Sequence, residues 1–522
     1  MMLHTNFTPI DWVIVVLYLC ATGLLGAYVN RHIHTASHYL VGSRSAPTAL
    51  STASFIGTGL GLVTLMYASM DGFNKGFSYL FVPVLGMIVP FILGITGFVI
   101  QRLREMELST IPEFFHHRFN RRAQVTAGLI CTIAGVLNMG LFPKMGATFI
   151  TYVTGMGNTA DDASMTVNII TSLLIVLVLA YTILGGMVAV LVTDYIQFVV
   201  LSFGLAIGTW LCLNSPEIGW DNMVSTVATH QGEAAFNPFH PESYGWTYII
   251  WMTWVTTAAG ICWVPEATRA LTTQDPHTTK RTFLLGSPGF FARMAIPALW
   301  GIAAFTYIQN HESFSVFFSS EALEAHPGRS AAAMPLLIGN LIPTGLLGLL
   351  TAGLIAAFMS THDSYLLAWG SVISQDVIAP LTTEKRLSDA QSIRFTRISV
   401  LVIGLFLLVW GIWYELPESV WTYMAVTGTV YLSGTGTALI GGMYWKGASS
   451  TGATGAMLGG TFAIAGLFPQ WIQQTLADLF NSDVSSVSNY VNEPSIALFV
   501  FFTCVTIFIA GSLIFPDKQP AS

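Results

Sequence analysis

A chain of 522 residues in which 53% are hydrophobic and 9% charged carries well under half the charge of a soluble domain, where about a quarter of residues are charged. That composition excludes an ordinary water-soluble fold and points to an all-α polytopic membrane protein. The net charge of −7 gives no reason to expect a nucleic-acid partner. Cys20, Cys131, Cys212, Cys262 and Cys504 lie in apolar runs without metal-type spacing, so they read as small core residues.

Apolar windows long enough to cross a bilayer occur at 10–29, 48–70, 77–100, 122–153, 164–184, 187–213, 246–268, 282–308, 344–377, 393–414, 418–445, 454–472 and 495–515. These make 13 transmembrane helices. The first is retained, because no basic region precedes it and Arg31 follows it. Placing the N-terminus outside and the C-terminus inside puts sixteen lysines and arginines inside, from Arg31 to Lys518, and only Lys75 and Arg329 outside. The outer loops at 214–245 and 309–335 read as solvated connectors. The inner run QRLREMELSTIPEFFHHRFNRR reads as a basic interfacial helix, which accounts for His116 and His117.

Two of these helices carry breakers at their centres. The second contains TASFIGTGLGLVTL, with Gly57, Gly59 and Gly61; the seventh contains TTAAGICWVPEATRAL, with Gly260 and Pro265. They stand five helices apart. Paired interruptions of this kind mark inverted-repeat transporters, whose binding site lies at the membrane midplane where unwound carbonyls face a cavity. The glycines are not a nucleotide loop, since no strand precedes them.

The ninth helix, 343–376, is apolar at both ends and polar at its centre, where Ser360, Thr361, His362, Asp363 and Ser364 follow one another. At 100° per residue, Ala357, Ser360, Thr361 and Ser364 share an arc of about 100°. Asp363 flanks that arc and His362 points away from it. A carboxylate at this depth costs about 2.5 to 3.5 kcal/mol and is retained for an ion or a partner. The face therefore reads as a cation site.

Three motifs then carry a resemblance: YTILGGMVAVLVTDYIQ at 181–197, STIPEFFHHRFNRR at 109–122 and AAFMSTHDS at 356–364. In order and spacing they resemble the solute:sodium symporter family, which includes bacterial proline, sugar and sialic-acid symporters. The likeness runs over about residues 10–450. It implies a LeuT-type 5+5 inverted-repeat core. Residues 1–45 would hold the leading helix, 46–215 the first repeat, 216–450 the second repeat and 451–522 two trailing helices. It further implies Na+-driven alternating access, importing a small organic solute such as a carboxylate, amino acid or sugar. The working unit would be a monomer in a bacterial plasma membrane.

The resemblance implies a first sodium site made by carbonyls of Gly57, Leu60 and Ala357 and hydroxyls of Ser360 and Thr361. A second cation site would use Asp194, Ser360, Asp363 and Ser364, with Asp363 departing from the hydroxyl that relatives more often carry there. Two carboxylates at that place leave proton coupling through Asp363 and Asp194 as an alternative. A second sodium ion would roughly double the electrical drive of about 2.3 kcal/mol per charge at 100 mV. The solute would lie among the second, third, fourth, seventh and eleventh helices, near Thr64, Asn138, Lys144, Trp263, Glu266, Thr427 and Tyr431. Lys144 is a candidate partner for a carboxylate or a residue reaching the outer headgroups, and Glu266 a candidate partner for Arg269. No enzymatic activity is expected, because His362 and Ser360 do not converge on the helix. A solute sensor of transporter ancestry remains a second alternative and would need a separate signalling partner.

Overall fold

The computed structural model describes residues 5–30, 46–156, 160–382, 387–480 and 482–517, with the side chains of 22–23, 25–30, 160–163, 181, 183–198 and 312–313 excepted. The fold is helical, and among the described residues the one strand-like pairing is an isolated bridge between Ala46 and Thr273. The principal helices are α1 (Pro9–Asn30), α2 (Thr48–Gly59), α3 (Leu62–Lys75), α4 (Phe81–Thr96), α5 (Arg121–Asn138), α6 (Phe142–Val153), α7 (Ala160–Asn214), α8 (Gly245–Cys262) and α9 (Val264–Thr272). They continue as α10 (Pro276–Gln309), α11 (Leu346–Val372), α12 (Asp389–Trp413), α13 (Val420–Tyr444), α14 (Ser450–Gly460), α15 (Pro469–Phe480) and α16 (Glu493–Ile514). Among the described residues, six helices are long and apolar enough to cross a membrane, or eight if each sharply bent pair is one span.

Both expected interruptions are present. The chain leaves helical geometry at Leu60 (φ −93°, ψ 63°) and Gly61 (φ −101°, ψ 163°), between α2 and α3. The amide of Leu60 still donates to the carbonyls of Ile56 and Gly57, and the ladder ends there. Between α8 and α9 the break falls at Trp263 (φ −67°, ψ 112°), with a bend of 41°. Pro265 lies at the start of α9, where its missing N–H would have had no helical partner in any case. The two broken helices meet: Arg269 of α9 donates through Nε to the hydroxyl of Thr58 in α2, at 2.8 Å.

Helix α10 is the strut against which α2, α3 and α4 pack. Small residues let the backbones close up. A methyl on Gly301 would fall 2.0 Å from the carbonyl oxygen of Ser69, and one on Gly72 would fall 2.3 Å from that of Ala298. Close approach through small side chains is how helices associate where lipid removes the hydrophobic driving force. On the other side of α3, helix α11 is buried along most of its length.

Three segments differ from the sequence expectation. The windows 164–184 and 187–213 lie in one helix, α7, of 55 residues. A straight helix of that length would run about 80 Å, far beyond a bilayer core of about 30 Å. Yet Gly204 packs against Leu350 at the start of α11, while Thr171 packs against Gly411 at the end of α12. This one helix therefore packs on both α11 and α12. The window 454–472 is also divided: α14 gives way to a 3₁₀ stretch, Thr461–Leu467, and α15 then turns by 90°. That turn leaves Trp471, Leu479 and Phe480 exposed.

The inner run 101–122 forms two short helices, Ile100–Glu105 and Glu113–Arg118, where one interfacial helix was expected. Its basic residues explain the difference, because they are recruited by open helix ends. Arg104 donates to the carbonyls of Thr273 and Gln274, at 2.7 and 3.0 Å. Arg118 donates to Gly442 in the last turn of α13 and to Trp445, Lys446 and Ala448 past its end.

Candidate cation and solute site

The α2/α3 break lies directly against the polar centre of α11. A methyl group on Gly61 would fall 2.1 Å from Oγ1 of Thr361, so the extended backbone and that hydroxyl are in contact. Thr361 donates to the Ala357 carbonyl at 3.0 Å. Ala357, Ser360, Thr361, Asp363 and Ser364 are all buried. On the other side of the break, the Thr64 hydroxyl donates to the Gly59 carbonyl at 2.7 Å. Backbone carbonyls and hydroxyls gathered in this way can replace the hydration shell of a hard monovalent cation.

Beside this face stands Arg269, which is 2% exposed. Its Nη2 donates to the Ser364 hydroxyl at 2.9 Å while Nε holds Thr58, so one guanidinium ties α9 to both α2 and α11. Asp363 accepts a hydrogen bond from Thr182 of α7. Of the residues expected at a second cation site, Ser364 and Asp363 are thus engaged by Arg269 and Thr182. The side chain of Asp194 lies outside the described residues.

Next to the break opens a cavity of about 120 Å³, lined from α2, α3, α4, α5, α6, α8, α9, α10, α11 and α13. It therefore also touches the eighth and ninth spans of the sequence reading, through α10 and α11. Thr64, Asn138, Trp263 and Glu266 line it, as does Thr361 itself. Trp263 donates from Nε1 to the Tyr365 hydroxyl at 3.2 Å.

The remaining solute candidates stand elsewhere. Thr427 lies behind Asn138 and accepts its Nδ2 at 3.1 Å, and Tyr431 is fully buried in the protein. Lys144 donates from Nζ to the carbonyl of Tyr414, at 2.7 Å, where α12 ends. Its charge therefore serves an open helix end and does not face the cavity.

Glu266 pairs with Arg293 of α10, at 3.2 Å, instead of with Arg269. The Arg293 guanidinium also lies 3.8 Å above the Phe290 ring. Sequence reasoning missed Arg293, although a signal existed. Of the 20 lysines and arginines, eighteen fall in loops by the orientation count, which leaves Lys144 and Arg293 inside spans. A charge in that position calls for a named partner.

The chain can be compared with known proteins on this footing. The model of the sodium:solute symporter family matches residues 39–460. The sodium/sialic acid symporter SiaT of Proteus mirabilis is 24% identical over 449 residues, covering 83% of this chain and 84% of its own. The osmoregulated proline transporter OpuE of Bacillus subtilis is 22% identical over 467 residues, or 86% of either chain. The monocarboxylic acid transporter of Corynebacterium glutamicum is 24% identical over 424 residues, covering 79% of this chain and 72% of its own. A solved structure of a Na+-coupled sialic acid symporter, in a substrate-bound outward-open state, superimposes with a TM-score of 0.75 at 20% identity, covering 98% of this chain and all of that one. The backbone path is therefore shared with a sodium-coupled symporter, and with the family model matching most of its length the chain belongs to the sodium:solute symporter family.

Proposed function

We propose that this protein is a sodium-coupled symporter that imports a small organic solute by alternating access. Na+ would sit between the carbonyls of Gly57, Leu60 and Ala357 and the hydroxyls of Ser360 and Thr361. The solute would occupy the adjoining cavity. The observation that carries this reading is the contact of Gly61 with Thr361 at a helix break that also borders the cavity. A cation bound there would pull α3 and α11 together, and so would change the wall of the solute cavity. That gives the two ligands a physical means of coupling.

The proposal includes thirteen crossings, the N-terminus outside, repeats at 46–215 and 216–450, and a monomeric unit in a bacterial plasma membrane. The sixteen-to-two distribution of loop lysines and arginines supports the orientation. For the cation stoichiometry we favour one Na+, because Arg269 already places a positive charge at Ser364. The relatives named above carry sialic acid, proline and monocarboxylic acids, which limits the solute here only to small organic molecules.

Uptake into proteoliposomes, screened over amino acids, carboxylates and sugars, tests this directly. An inward Na+ gradient should drive accumulation of at least one compound, and replacing Na+ by K+ should abolish it. Accumulation driven equally well without Na+ would overturn the coupling.

A further inference from the structure

Among the described residues that line the central cavity, Glu266 and Arg293 are the only charged ones. We propose that together they bind the two ends of a zwitterionic solute, its carboxylate on Arg293 and its ammonium group on Glu266. This rests on the reading of the cavity as the solute site, and adds the chemical class of the solute.

The pair is present at a depth where each charge is costly, and yet it is poorly satisfied. A guanidinium and a carboxylate can close two parallel hydrogen bonds. Here a single contact joins them, between Nη2 and Oε1 at 3.2 Å, and among the described residues Nε and Nη1 of Arg293 find no hydrogen-bond partner. Arg293 is nonetheless only 9% exposed. Unmet donors on a buried cation mark a place where a ligand oxygen would be favoured.

Charge balance then selects the ligand. With one acid and one base in its wall the cavity offers a partner of each sign, so a solute carrying a single charge would leave one of the two without a counter-charge in a low-dielectric space. A zwitterion adds no net charge beside the Na+ and gives each member of the pair a partner of opposite sign. The aromatic wall, with Tyr67, Trp263, Phe290 and Trp421, suits the hydrocarbon body of such a molecule. Position also links this site to the cation. Nη1 of Arg293 lies 1.1 Å from where a side chain on Gly59 would begin, so the guanidinium packs on the backbone two residues from Gly61. A carboxylate that draws on Arg293 is thereby felt at the break.

The test is a thermal-shift panel on the purified full-length protein in Na+. The probes are the common amino acids and glycine betaine, each beside its deaminated acid and its decarboxylated amine. At least one zwitterion should raise the melting temperature while its acid and its amine do not. Glu266→Gln should weaken that zwitterion at least tenfold and narrow its advantage over the acid, and Arg293→Gln should abolish both. Should either variant fail to fold, the charge-conserving Glu266→Asp and Arg293→Lys should weaken the zwitterion while keeping its advantage over the acid, and loss of that advantage in them would overturn the inference. Stabilisation by acids, amines or sugars only, by none of the zwitterions, or an unchanged zwitterion-to-acid ratio in Glu266→Gln overturns the inference. Failure of the symport reading looks different: there the zwitterion would bind equally well when K+ replaces Na+.

Discussion

Oγ1 of Thr361 occupies the space that any side chain on Gly61 would need, 2.1 Å from the position of its first carbon. The interrupted second span and the ninth are thus fitted to one another at these two residues. Gly61→Ala should push α3 from α11. The expected outcome is a folded protein whose half-saturating Na+ concentration rises more than tenfold, equivalent to about 1.4 kcal/mol or more. Sodium titration of the melting temperature measures it, with Gly411→Ala as the control for a glycine whose added methyl would meet only ordinary van der Waals contacts.

Arg269 should make sodium activation non-cooperative. Its Nη2 holds the Ser364 hydroxyl and its Nε that of Thr58. Initial uptake rates against Na+ concentration should therefore give a Hill coefficient of about 1. Arg269→Ala removes at least two hydrogen bonds made by a charged donor, each contributing about 1.5–3 kcal/mol, so it should lower thermal stability and abolish uptake.

Much of this arrangement could be read in the sequence, because membrane insertion amplifies local signals. Gly57, Gly59, Gly61 and Pro265 announce the interruptions since nothing in lipid masks a lost backbone hydrogen bond. The hydroxyls at Ser360 and Thr361 stand out from an apolar background. The chain could not show where long side chains end. Lys144 and Arg293 look alike in sequence, each a lone base in a span, and only the three-dimensional neighbours send one to the Tyr414 carbonyl and the other to Glu266. Glu266 was read with Arg269, three residues along the same helix, when its partner was twenty-seven residues away on α10. The windows 164–184 and 187–213 read as two helices because hydropathy marks apolar stretches, and it does not show that helical hydrogen bonding continues between them.

Arg118 should matter for stability alone. It gathers one carbonyl in the last turn of α13 and three beyond it, all far from the cation face in sequence. Arg118→Ala should lower stability by about 2 kcal/mol, given the worth of hydrogen bonds to a charged group. Half-saturating Na+ should stay unchanged, and the melting temperature with and without Na+ separates the two effects.

Asp275 caps α10, accepting from the amide and the hydroxyl of Thr278, both at 2.8 Å. The Thr278 amide is the main reason its carboxyl is held below the ordinary value of 3.8. The cap is therefore fully in place above pH 3.8 and is lost as pH falls through the lower folded value. The contribution of Asp275 should stay constant between neutral pH and about pH 5. Asp275→Ala should cost about 1 kcal/mol in that range, and melting curves across pH check both statements.

The account depends most on one cation held between the α2/α3 break and α11. Equilibrium binding of radioactive sodium to the purified protein, compared with the double variant Ser360→Ala and Thr361→Ala, reads that site without any solute. One Na+ per protein should bind, and the double variant should weaken it more than tenfold while its melting temperature without Na+ stays close to that of the parent. Sodium binding of equal strength in the double variant would contradict the account.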